Sequence, residues 1–262
     1  MSTPNSEHTF VIMAYKESAY LEACIKSVLN QTQPTLAHIT TSTPNSFISN
    51  LATKYGLQVH VNSNGGSIGK DWNFGLNSAS TPYVTLAHQD DLYHPDFAAD
   101  CIAAAKRYDA EKPLMVFNRS ITFAGDKEVR VPYKNILRWL LIFPFHFRSG
   151  IHSNFWKKTA LRFSNSISCP GVFYVKKNLD NFRFNETDKY ILDWRAWYEI
   201  AEREGAMVYV DKALHTHREH EASTTSVTQL ETLQKEEMDL LSHIWGNSFI
   251  PKLITTVLRL AK

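Results

Sequence analysis

The chain has 262 residues, of which 44% are hydrophobic and 21% are charged, and its formal net charge is +2. This length is sufficient for one large domain or two small ones with a sizeable core, and the composition is that of an ordinary globular protein. A charge so close to zero provides no general attraction to nucleic acid, so we expect no nucleic-acid partner.

The first half of the chain alternates short apolar runs with amphipathic stretches of ten to fourteen residues. The segments that predict strands are "TFVIMAY", "LAHITTS", "LQVHVN", "PYVTLAH" and "PLMVFNRS". The segments that predict helices are "SAYLEACIKSVLNQ", with Ser18 as its expected N-cap, "NSFISNLATKY", "SIGKDWNFGLNSA" and "PDFAADCIAAAKRY". Such alternation predicts an α/β fold with a mostly parallel central sheet and flanking helices.

From Ala124 onward the pattern changes. The run "KNILRWLLIFPFHF" is apolar and broken by Pro144, "DKYILDWRAWYEIAEREG" predicts a helix, and "AMVYVD" predicts a strand followed by the polar loop "HTHREHEASTT". Two helices close the chain. We expect one compact unit with a first half over residues 1–123, a second half over 124–226, and C-terminal helices over 227–262.

Three cysteines, Cys24, Cys101 and Cys169, lie far apart and form no C-x-x-C pair. A zinc finger or a disulfide framework is therefore not expected, which favours a reducing compartment. The N-terminus lacks the basic start and apolar run of a signal peptide, and no stretch of 18 apolar residues occurs. These features predict a cytoplasmic protein.

The stretch "LAHQDDLYHPD" follows the fourth predicted strand directly. Open α/β sheets bind ligands beyond the carboxyl ends of their strands, so this polar cluster lies where a site is expected. Two adjacent carboxylates repel each other, and a divalent cation such as Mg²⁺ or Mn²⁺ would remove that cost, with His88 as a nitrogen ligand. The alternative is that Asp91 caps the following helix and the remainder is solvated loop.

The glycine-rich segment "NSNGGSIGKDWN" matches neither of the two standard phosphate-binding patterns. It nevertheless brings backbone N–H groups and Lys70 within reach of a phosphate if the loop lies at the site. The alternative is a turn that requires positive φ at Gly65 or Gly66.

Four segments, in order, resemble the bacterial-type inverting glycosyltransferases of family 2, which have the GT-A fold. They are "VIMAYKESAYLEACIKSVLNQT", "NGGSIGKDWNFGLNSASTPYVTLAHQDD", "DKYILDWRAWYEIAEREG" and "HREHEASTT", and they are spread over roughly residues 9–226. The chain departs from the family pattern at three positions. His88 replaces the first Asp of the D-x-D-D metal motif, Trp72 replaces an Arg, and Leu192 replaces the Glu of an E-D pair, which leaves Asp193.

The resemblance implies transfer of a sugar from a nucleoside diphosphate sugar, most often a UDP-sugar, to a hydroxyl. It implies the following site residues: Asp193 as catalytic base; Asp90, His88 and His220 as ligands of Mn²⁺ or Mg²⁺; and Tyr15, Glu17, Lys70, Asn73, Asp91 and Arg218 in donor binding. Because Trp72 replaces the Arg, Lys70 or Arg218 is expected to neutralise the charge of the diphosphate. Asn73 is expected to shape the loop beneath the donor. Asp193 is expected early in a helix, where the helix dipole favours its ionised form.

The second half is expected to hold a glycan or lipid-linked acceptor. In the closing segment Leu253, Val257 and Leu260 align on one helical face beside Lys252 and Arg259, which favours contact with the inner face of an anionic membrane. The alternative for this face is core packing or a homodimer.

Two other functions stay open. One is a zinc-dependent sugar deacetylase, because "AHQDD" is similar to H-P-D-D, and the other is a nucleotide-sugar-binding protein without catalysis.

Overall fold

The computed structural model describes residues 6–124, 127–129, 132–220, 229–246 and 248–260. Within these ranges the strands are β1 His8–Ala14, β2 Leu36–Thr41, β3 Val59–Val61, β4 Tyr83–His88, β5 Leu92–Tyr93, β6 Pro113–Ala124, β7 Lys127–Glu128, β8 Gly150–Ile151, β9 Phe173–Tyr174 and β10 Ala206–Glu219. The α-helices are α1 Leu21–Leu29, α2 Ser46–Tyr55, α3 Ile68–Ser78, α4 Phe97–Arg107, α5 Pro132–Leu141, α6 Phe143–Phe147, α7 Asn154–Thr159, α8 Leu192–Glu202, α9 Leu230–Trp245 and α10 Ile250–Leu260. Short 3-10 helices cover Asp109–Glu111, Cys169–Gly171 and Lys176–Asn178.

The described strands form one sheet in the order β3-β2-β1-β4-β9-β6-β10-β5, with β7 on β6 and β8 on β10. The pairs β3–β2, β2–β1, β1–β4 and β6–β10 are parallel, whereas each antiparallel pair involves a two-residue strand. Since β9 is antiparallel to both β4 and β6, the longer strands of the two halves point the same way. Their carboxyl ends therefore meet at one edge, as the predicted mixed α/β fold requires.

Local sequence signals account for the first-half helices. Asn45 caps α2, because its Oδ1 accepts the N–H of Ile48 at 2.9 Å, and the helix ends at Gly56 with φ of 65°. Ser67 caps α3 by accepting the N–H of Lys70 at 3.3 Å. Ser18, in contrast, was wrongly predicted as an N-cap, because α1 begins only at Leu21 and the Ser18 hydroxyl turns toward the end of β4.

The second half differs from its prediction in two elements. The helix predicted from Asp188 begins at Leu192, and the polar stretch predicted as a loop is the end of β10, which continues to Glu219. The loop prediction was wrong because polar residues pair as a strand when a neighbour supplies the hydrogen bonds, and β6 does so along its whole length. The sheet runs through the boundary predicted at residues 123 and 124, so the division into functional halves stays a prediction.

Two apolar layers cover the sheet. Alternate residues of β1 point to opposite faces, with Phe10 and Ile12 packed against α1, α2 and α4, and Val11 packed with residues of the second half. The three cysteines are buried and free. In α10 the side chains of Leu253 and Val257 are exposed, and contact of this face with a membrane stays a prediction. Leu260 and Arg259 have no described side chain, and Lys262, which follows them in the same segment, lies outside the described residues.

No helix in the described part of the chain combines the length and hydrophobicity needed to cross a bilayer.

A buried lysine closes the carboxyl end of α8. Lys157, on α7, is fully buried, and its Nζ donates to the carbonyl oxygens of Arg203 and Gly205 at 2.7 Å each. Helix ends leave carbonyl groups without helical partners, and burial makes an unmet carbonyl costly. Lys157 therefore fixes the end of the helix that carries Asp193.

Lys157→Met should lower the free energy of unfolding by about 2–4 kcal/mol, because two buried carbonyls lose their donor while the aliphatic stem is preserved. Urea denaturation followed by circular dichroism measures the change. The matched control is Lys158→Met, which removes an ion pair with Glu202 at 3.5 Å near the surface and should cost less than about 1 kcal/mol. Equal losses for the two variants would contradict the assigned role of Lys157.

Candidate active site

The carboxyl ends of the parallel strands open into one cleft of about 850 Å³. The ends of the first-half strands β1 to β4 contribute Tyr15, Ser42, Asn62 and the segment His88–Asp91. From the second half, β6 contributes Ser120 and Thr122, β10 contributes the segment His217–Glu219, and α8 contributes Asp193. The cleft therefore lies between the two halves.

Asp90 lies just beyond β4 and is held from two sides. Its Oδ1 accepts the hydroxyl of Ser18 at 3.0 Å, and its Oδ2 lies 3.2 Å from Nε2 of His220. These contacts join the segment before α1, the end of β4 and the chain just after β10. The side chains of Asp90 and His220 are thus in contact, although His220 is not among the residues that line the cleft, and their joint role as metal ligands stays a prediction.

Asp91 is buried and faces the opposite way. Its Oδ1 accepts Nδ1 of His217 at 3.1 Å and the backbone N–H of Arg218 at 3.0 Å. Burial raises the pKa of Asp91, but the donors from His217 and Arg218 outweigh it, so the pKa lies below the usual value. Burial lowers the pKa of His217, but the Asp91 carboxylate raises it more, so the pKa lies above the usual value.

His88 lies at the floor of the cleft. Its ring packs 5.2 Å from the ring of Trp72, and its Nε2 lies 3.8 Å from Sγ of Cys169. Burial lowers the pKa of His88, which keeps the imidazole neutral, the form in which it binds metals. Burial also raises the pKa of the Cys169 thiol, so that sulfur is a poor nucleophile.

The glutamine of the H-Q-D-D motif joins two strand ends. Oε1 of Gln89 accepts the backbone N–H of Tyr15 at 2.9 Å, and its Nε2 donates to the Tyr15 carbonyl at 3.1 Å. The Tyr15 ring is half exposed and lines the cleft, where it offers a stacking surface. The next residue, Lys16, adopts φ of 54°, and its N–H donates to Oγ1 of Thr43 at 2.6 Å.

Arg218 lies in the cleft beside both acidic residues. Its guanidinium packs 5.0 Å from the ring of Tyr20, whose ring also lies 4.9 Å from that of His220. Buried Nε and Nη2 of Arg218 have no hydrogen-bond partner among the described residues. An arginine with buried donors left unmet fits a site for an anion such as a diphosphate.

Asp71, on α3, forms a polar cluster that the sequence analysis did not identify. Its Oδ2 accepts a hydrogen bond from Oγ of Ser42 at 2.8 Å, and its Oδ1 accepts one from Nδ2 of Asn62 at 2.8 Å. All three residues line the cleft. Ser42 and Asn62 each follow a strand end, so the rule that drew attention to His88–Asp91 applies to them as well.

Asp193 lies on the second-half wall in the first turn of α8. Its Oδ2 accepts Nδ2 of Asn165 at 2.7 Å, and its Oδ1 accepts the N–H of Trp194 at 2.7 Å. Burial raises its pKa to about 6, against the lowering effect of these donors. The sequence analysis anticipated the helix dipole, but burial is the larger effect, and the carboxylate is still mostly ionised at neutral pH.

A buried histidine supports the floor between these walls. Nδ1 of His215 lies 2.9 Å from Oδ1 of Asn118, and its Nε2 lies 3.0 Å from Oγ of Ser168. A Cβ at Gly171 would lie 2.2 Å from the His215 ring, so only glycine allows this approach. His215 and His217 were predicted as ordinary loop residues, which was wrong, because both lie on β10 with specific partners.

Three of the predicted donor-binding residues lie away from the cleft lining. The side chains of Glu17 and Lys70 are exposed outside it. Asn73 is buried and tied to Phe184, with Nδ2 donating to its carbonyl at 3.0 Å and Oδ1 accepting its N–H at 2.8 Å. Its position accords with a supporting rather than a contacting role. The part of "HREHEASTT" from Glu221 onward lies outside the described residues.

The residues at the end of β4 fit a divalent ion that is shared with a substrate. Asp90 and His220 offer a carboxylate and an imidazole in contact, and His88 lies two residues before Asp90 in the chain. No group of three or more His, Cys, Asp or Glu that could hold a metal by themselves occurs in the described part of the chain. A Mg²⁺ or Mn²⁺ ion here would take its remaining ligands from phosphate oxygens and water.

The fold is the GT-A fold of glycosyltransferases. Residues 9–164, more than half of the chain, match the model of the family described as glycosyl transferase family 2. The chain therefore belongs to glycosyl transferase family 2. No curated protein sequence matches it significantly.

Solved structures of distant sequence share the fold. The structure of Staphylococcus aureus TarS 1–349 with UDP-GlcNAc is 15% identical with a TM-score of 0.65, over 92% of this chain and 67% of that one. Glucosyl-3-phosphoglycerate synthase from Mycobacterium tuberculosis with Mn²⁺ and UDP-glucose is 16% identical with a TM-score of 0.59, over 91% and 79%. The mannosyltransferase PcManGT from Pyrobaculum calidifontis with GDP-Man and Mn²⁺ is 11% identical with a TM-score of 0.59, over 91% and 61%. This chain spans 40% of a longer TarS structure.

Asp193→Asn should stabilise the protein at pH 8, by about 1–3 kcal/mol, because it removes a buried ionised carboxylate. The folded pKa of about 6 exceeds the ordinary aspartate value of 3.8, so the contribution of Asp193 to stability is present below about pH 4 and is lost as the pH rises through 6. Urea denaturation at pH 5 and pH 8 should therefore show an advantage of the variant that grows with pH. A variant less stable than wild type at pH 8 would contradict the electrostatic assignment.

Proposed function

We propose that this protein transfers a sugar from a nucleoside diphosphate sugar, with UDP as the favoured nucleotide, to a hydroxyl of a glycan or lipid-linked acceptor. We further propose that the reaction inverts the anomeric carbon and is assisted by Mn²⁺ or Mg²⁺. One observation carries the proposal: Asp90 and Arg218 line the same cleft as Asp193, so groups suited to a diphosphate and a group suited to an acceptor hydroxyl share one cavity. Family membership supports it independently.

The donor would lie across the strand ends of the first half. Asp71 and Asn62 offer an acceptor and a donor for the edge of a nucleobase, and the Tyr15 ring offers a stacking face. The diphosphate would then reach Arg218, whose unmet buried donors favour it over the exposed Lys70. The TarS and glucosyl-3-phosphoglycerate synthase structures contain UDP-sugars, which supports UDP as the nucleotide.

Asp90 and His220 would hold the divalent ion, and His88 would contribute through its neutral ring. When bound, such an ion supplies Lewis-acid stabilisation of the negative charge that develops on the leaving diphosphate. Asp91 contributes differently, since its ion pair with His217 and its bond to the Arg218 backbone orient the arginine. The presence of Mn²⁺ in two of the structures with this fold supports the choice of metal.

Asp193 would act as the general base. The acceptor oxygen forms a bond to the anomeric carbon, the bond from that carbon to the diphosphate oxygen breaks, and the hydroxyl proton passes to the Asp193 carboxylate. A pKa of about 6 suits this task, because the group is mostly ionised at neutral pH and is still basic enough to accept a proton. Attack from the face opposite the leaving group gives inversion.

The setting of the reaction is part of the proposal. Three free, buried cysteines suit a reducing compartment, so we place the reaction in the cytoplasm, with a lipid-linked acceptor met at the inner face of a membrane.

Asp193→Asn should lower kcat by about 10²–10⁴-fold, the usual contribution of a positioned general base. The affinity for UDP should be unchanged, because Asp193 lies on the acceptor wall. A coupled assay of UDP release and isothermal titration calorimetry measure the two quantities. The control is Asp180→Asn, an exposed carboxylate, which should leave both unchanged. UDP binding by wild type without turnover of any donor would favour a binding protein instead.

The pH dependence of the same reaction provides a second readout. Wild-type kcat should fall as the pH drops through about 6, because Asp193 becomes protonated. Asn165→Ala removes a donor that stabilises the ionised form, so this acid limb should move to higher pH. An unmoved limb would assign the titration to another group.

Arg218→Gln should weaken UDP binding by about 10–100-fold, since a charge-assisted hydrogen bond contributes about 1.5–3 kcal/mol. His220→Ala should weaken it only when Mn²⁺ is present, because its role is to hold the ion. Calorimetric titrations with Mn²⁺ and with EDTA separate the two effects. The matched control, Lys70→Gln, should bind as wild type does; a larger loss for Lys70→Gln than for Arg218→Gln would reverse the assignment of the diphosphate site.

A further inference from the structure

A group of exposed apolar side chains lies at the acceptor end of the molecule. Eight of the seventeen large hydrophobic residues that are exposed in the described part of the chain fall within 21 residues on α5, α6 and α7. This aromatic surface consists of Ile136, Leu137, Trp139, Leu140, Phe143, Phe147, Phe155 and Trp156. Phe147 is 85% exposed and Trp139 is 57% exposed.

Ring contacts join the members of the aromatic surface. The centre of the Phe143 ring lies 6.2 Å from that of Phe147 and 6.1 Å from that of Trp156. The centre of the Trp156 ring lies 5.1 Å from that of Phe155. An apolar groove of about 400 Å³ lies among Phe143, Phe147 and Trp156. These four rings of α6 and α7 therefore form one surface, and the Trp139 ring of α5 is joined to α6 because it stacks on the His146 ring at 4.9 Å. A contiguous exposed apolar patch marks an interaction site.

Helix α5 provides a second reason to expect a covering partner. Five consecutive residues, 136–140, are exposed, and four of them are apolar. A helix that shows apolar side chains to water on several faces gains little from folding, whereas the same helix is stabilised in an apolar or interfacial environment. Tryptophan and phenylalanine beside arginine are typical of a membrane interface.

Charge selects the partner. Residues 129–179 contain nine Lys and Arg and no Asp or Glu. Lys157 is buried, and Lys176 and Lys177 are held by Ala79 and Asp109. The other described basic side chains on or beside α5, α6 and α7 are Arg138, Arg148, Lys158 and Arg162. Arg148 and Lys158 are partly neutralised by Glu111 and Glu202, but Arg138 and Arg162 have no carboxylate partner among the described residues. A basic rim around an aromatic surface complements anionic lipid. It opposes a symmetric contact between two copies, which would place like charges together.

We propose that the aromatic surface of α5, α6 and α7 binds an anionic lipid bilayer. Helix α5 also carries Arg138, which lines the cleft and donates to Oγ of Ser120 at 3.0 Å. The bilayer therefore meets the protein beside the acceptor half of the cleft. The proposal does not depend on the proposed sugar transfer, because lipid binding is measured without donor or acceptor.

The test is flotation of the full chain with vesicles made of equal parts phosphatidylglycerol and phosphatidylcholine, compared with vesicles of phosphatidylcholine alone. Wild type should bind the anionic vesicles more tightly, and added salt should weaken the binding. Trp139→Ser/Phe147→Ser should reduce the affinity by more than about tenfold, because two apolar side chains leave the interface.

The matched control replaces exposed apolar residues elsewhere. Phe249→Ser/Leu253→Ser, at the start of α10, removes comparable area and should bind as wild type does. The proposal is overturned if wild type binds neither vesicle, if the α10 variant loses binding while the α5–α6 variant retains it, or if sedimentation shows a wild-type dimer that Trp139→Ser/Phe147→Ser dissociates.

Quenching by brominated lipid tests the same surface in the wild type. Of the six tryptophans, Trp139 and Trp156 are exposed on the aromatic surface, so brominated anionic vesicles should quench the part of the fluorescence that they contribute. Trp139→Phe/Trp156→Phe preserves the aromatic character and should abolish most of the quenching while binding persists. Undiminished quenching in that variant would place the lipid contact elsewhere.

Discussion

The active cleft depends on one short piece of β-structure, the antiparallel pairing of β5 with β10. That pairing opposes Leu92 to Thr216 and Tyr93 to His215, directly after Asp91 in one strand and directly before His217 in the other. It brings Asp91 within hydrogen-bond distance of His217 and the Arg218 backbone. Two adjacent carboxylates then diverge, Asp91 toward β10 and Asp90 toward Ser18 and His220, so their mutual repulsion is offset by separate partners. The acidic groups at the end of β4 are therefore matched by basic groups at the end of β10.

The site contains groups that are costly for stability. Arg218 has buried donors without partners, and Asp193 is an ionised carboxylate whose pKa burial has raised to about 6. Neither arrangement stabilises the fold. Arg218 fits an anionic group of a substrate, and Asp193 fits a hydroxyl group that gives up its proton. The surroundings hold both in place: the Tyr20 ring supports Arg218, and Lys157 closes the far end of the helix that carries Asp193. Local strain and burial at such sites are offset by a well-packed sheet with apolar layers on both faces.

Sequence patterns predicted the elements of the first half because each is defined by local signals, such as the Asn45 cap and the alternation in β1. The end of β4 was identified as a site for a similar reason, since polar residues directly after a buried strand are unusual. Pairings distant in sequence were missed. The polar end of β10 is a strand only because β6 lies beside it, and Ser18 is an Asp90 donor only because β1 and β4 are neighbours. Asp71 was not predicted as a site residue, because its partners, Ser42 and Asn62, follow the ends of two different strands.

The cleft and the aromatic surface meet at α5, and this constrains how an acceptor can approach. Arg138 points toward the cleft and bonds to Ser120, while its neighbours Leu137 and Trp139 are exposed on the same helix. An acceptor with an apolar anchor and a polar head would place its head in the cleft that Arg138 and Asp193 both line, and its anchor against the exposed rings. A soluble glycan would gain nothing from those rings. The exposed apolar residues of α5 therefore favour a lipid-linked acceptor over a free one, and the position of Arg138 favours a head group that bears negative charge.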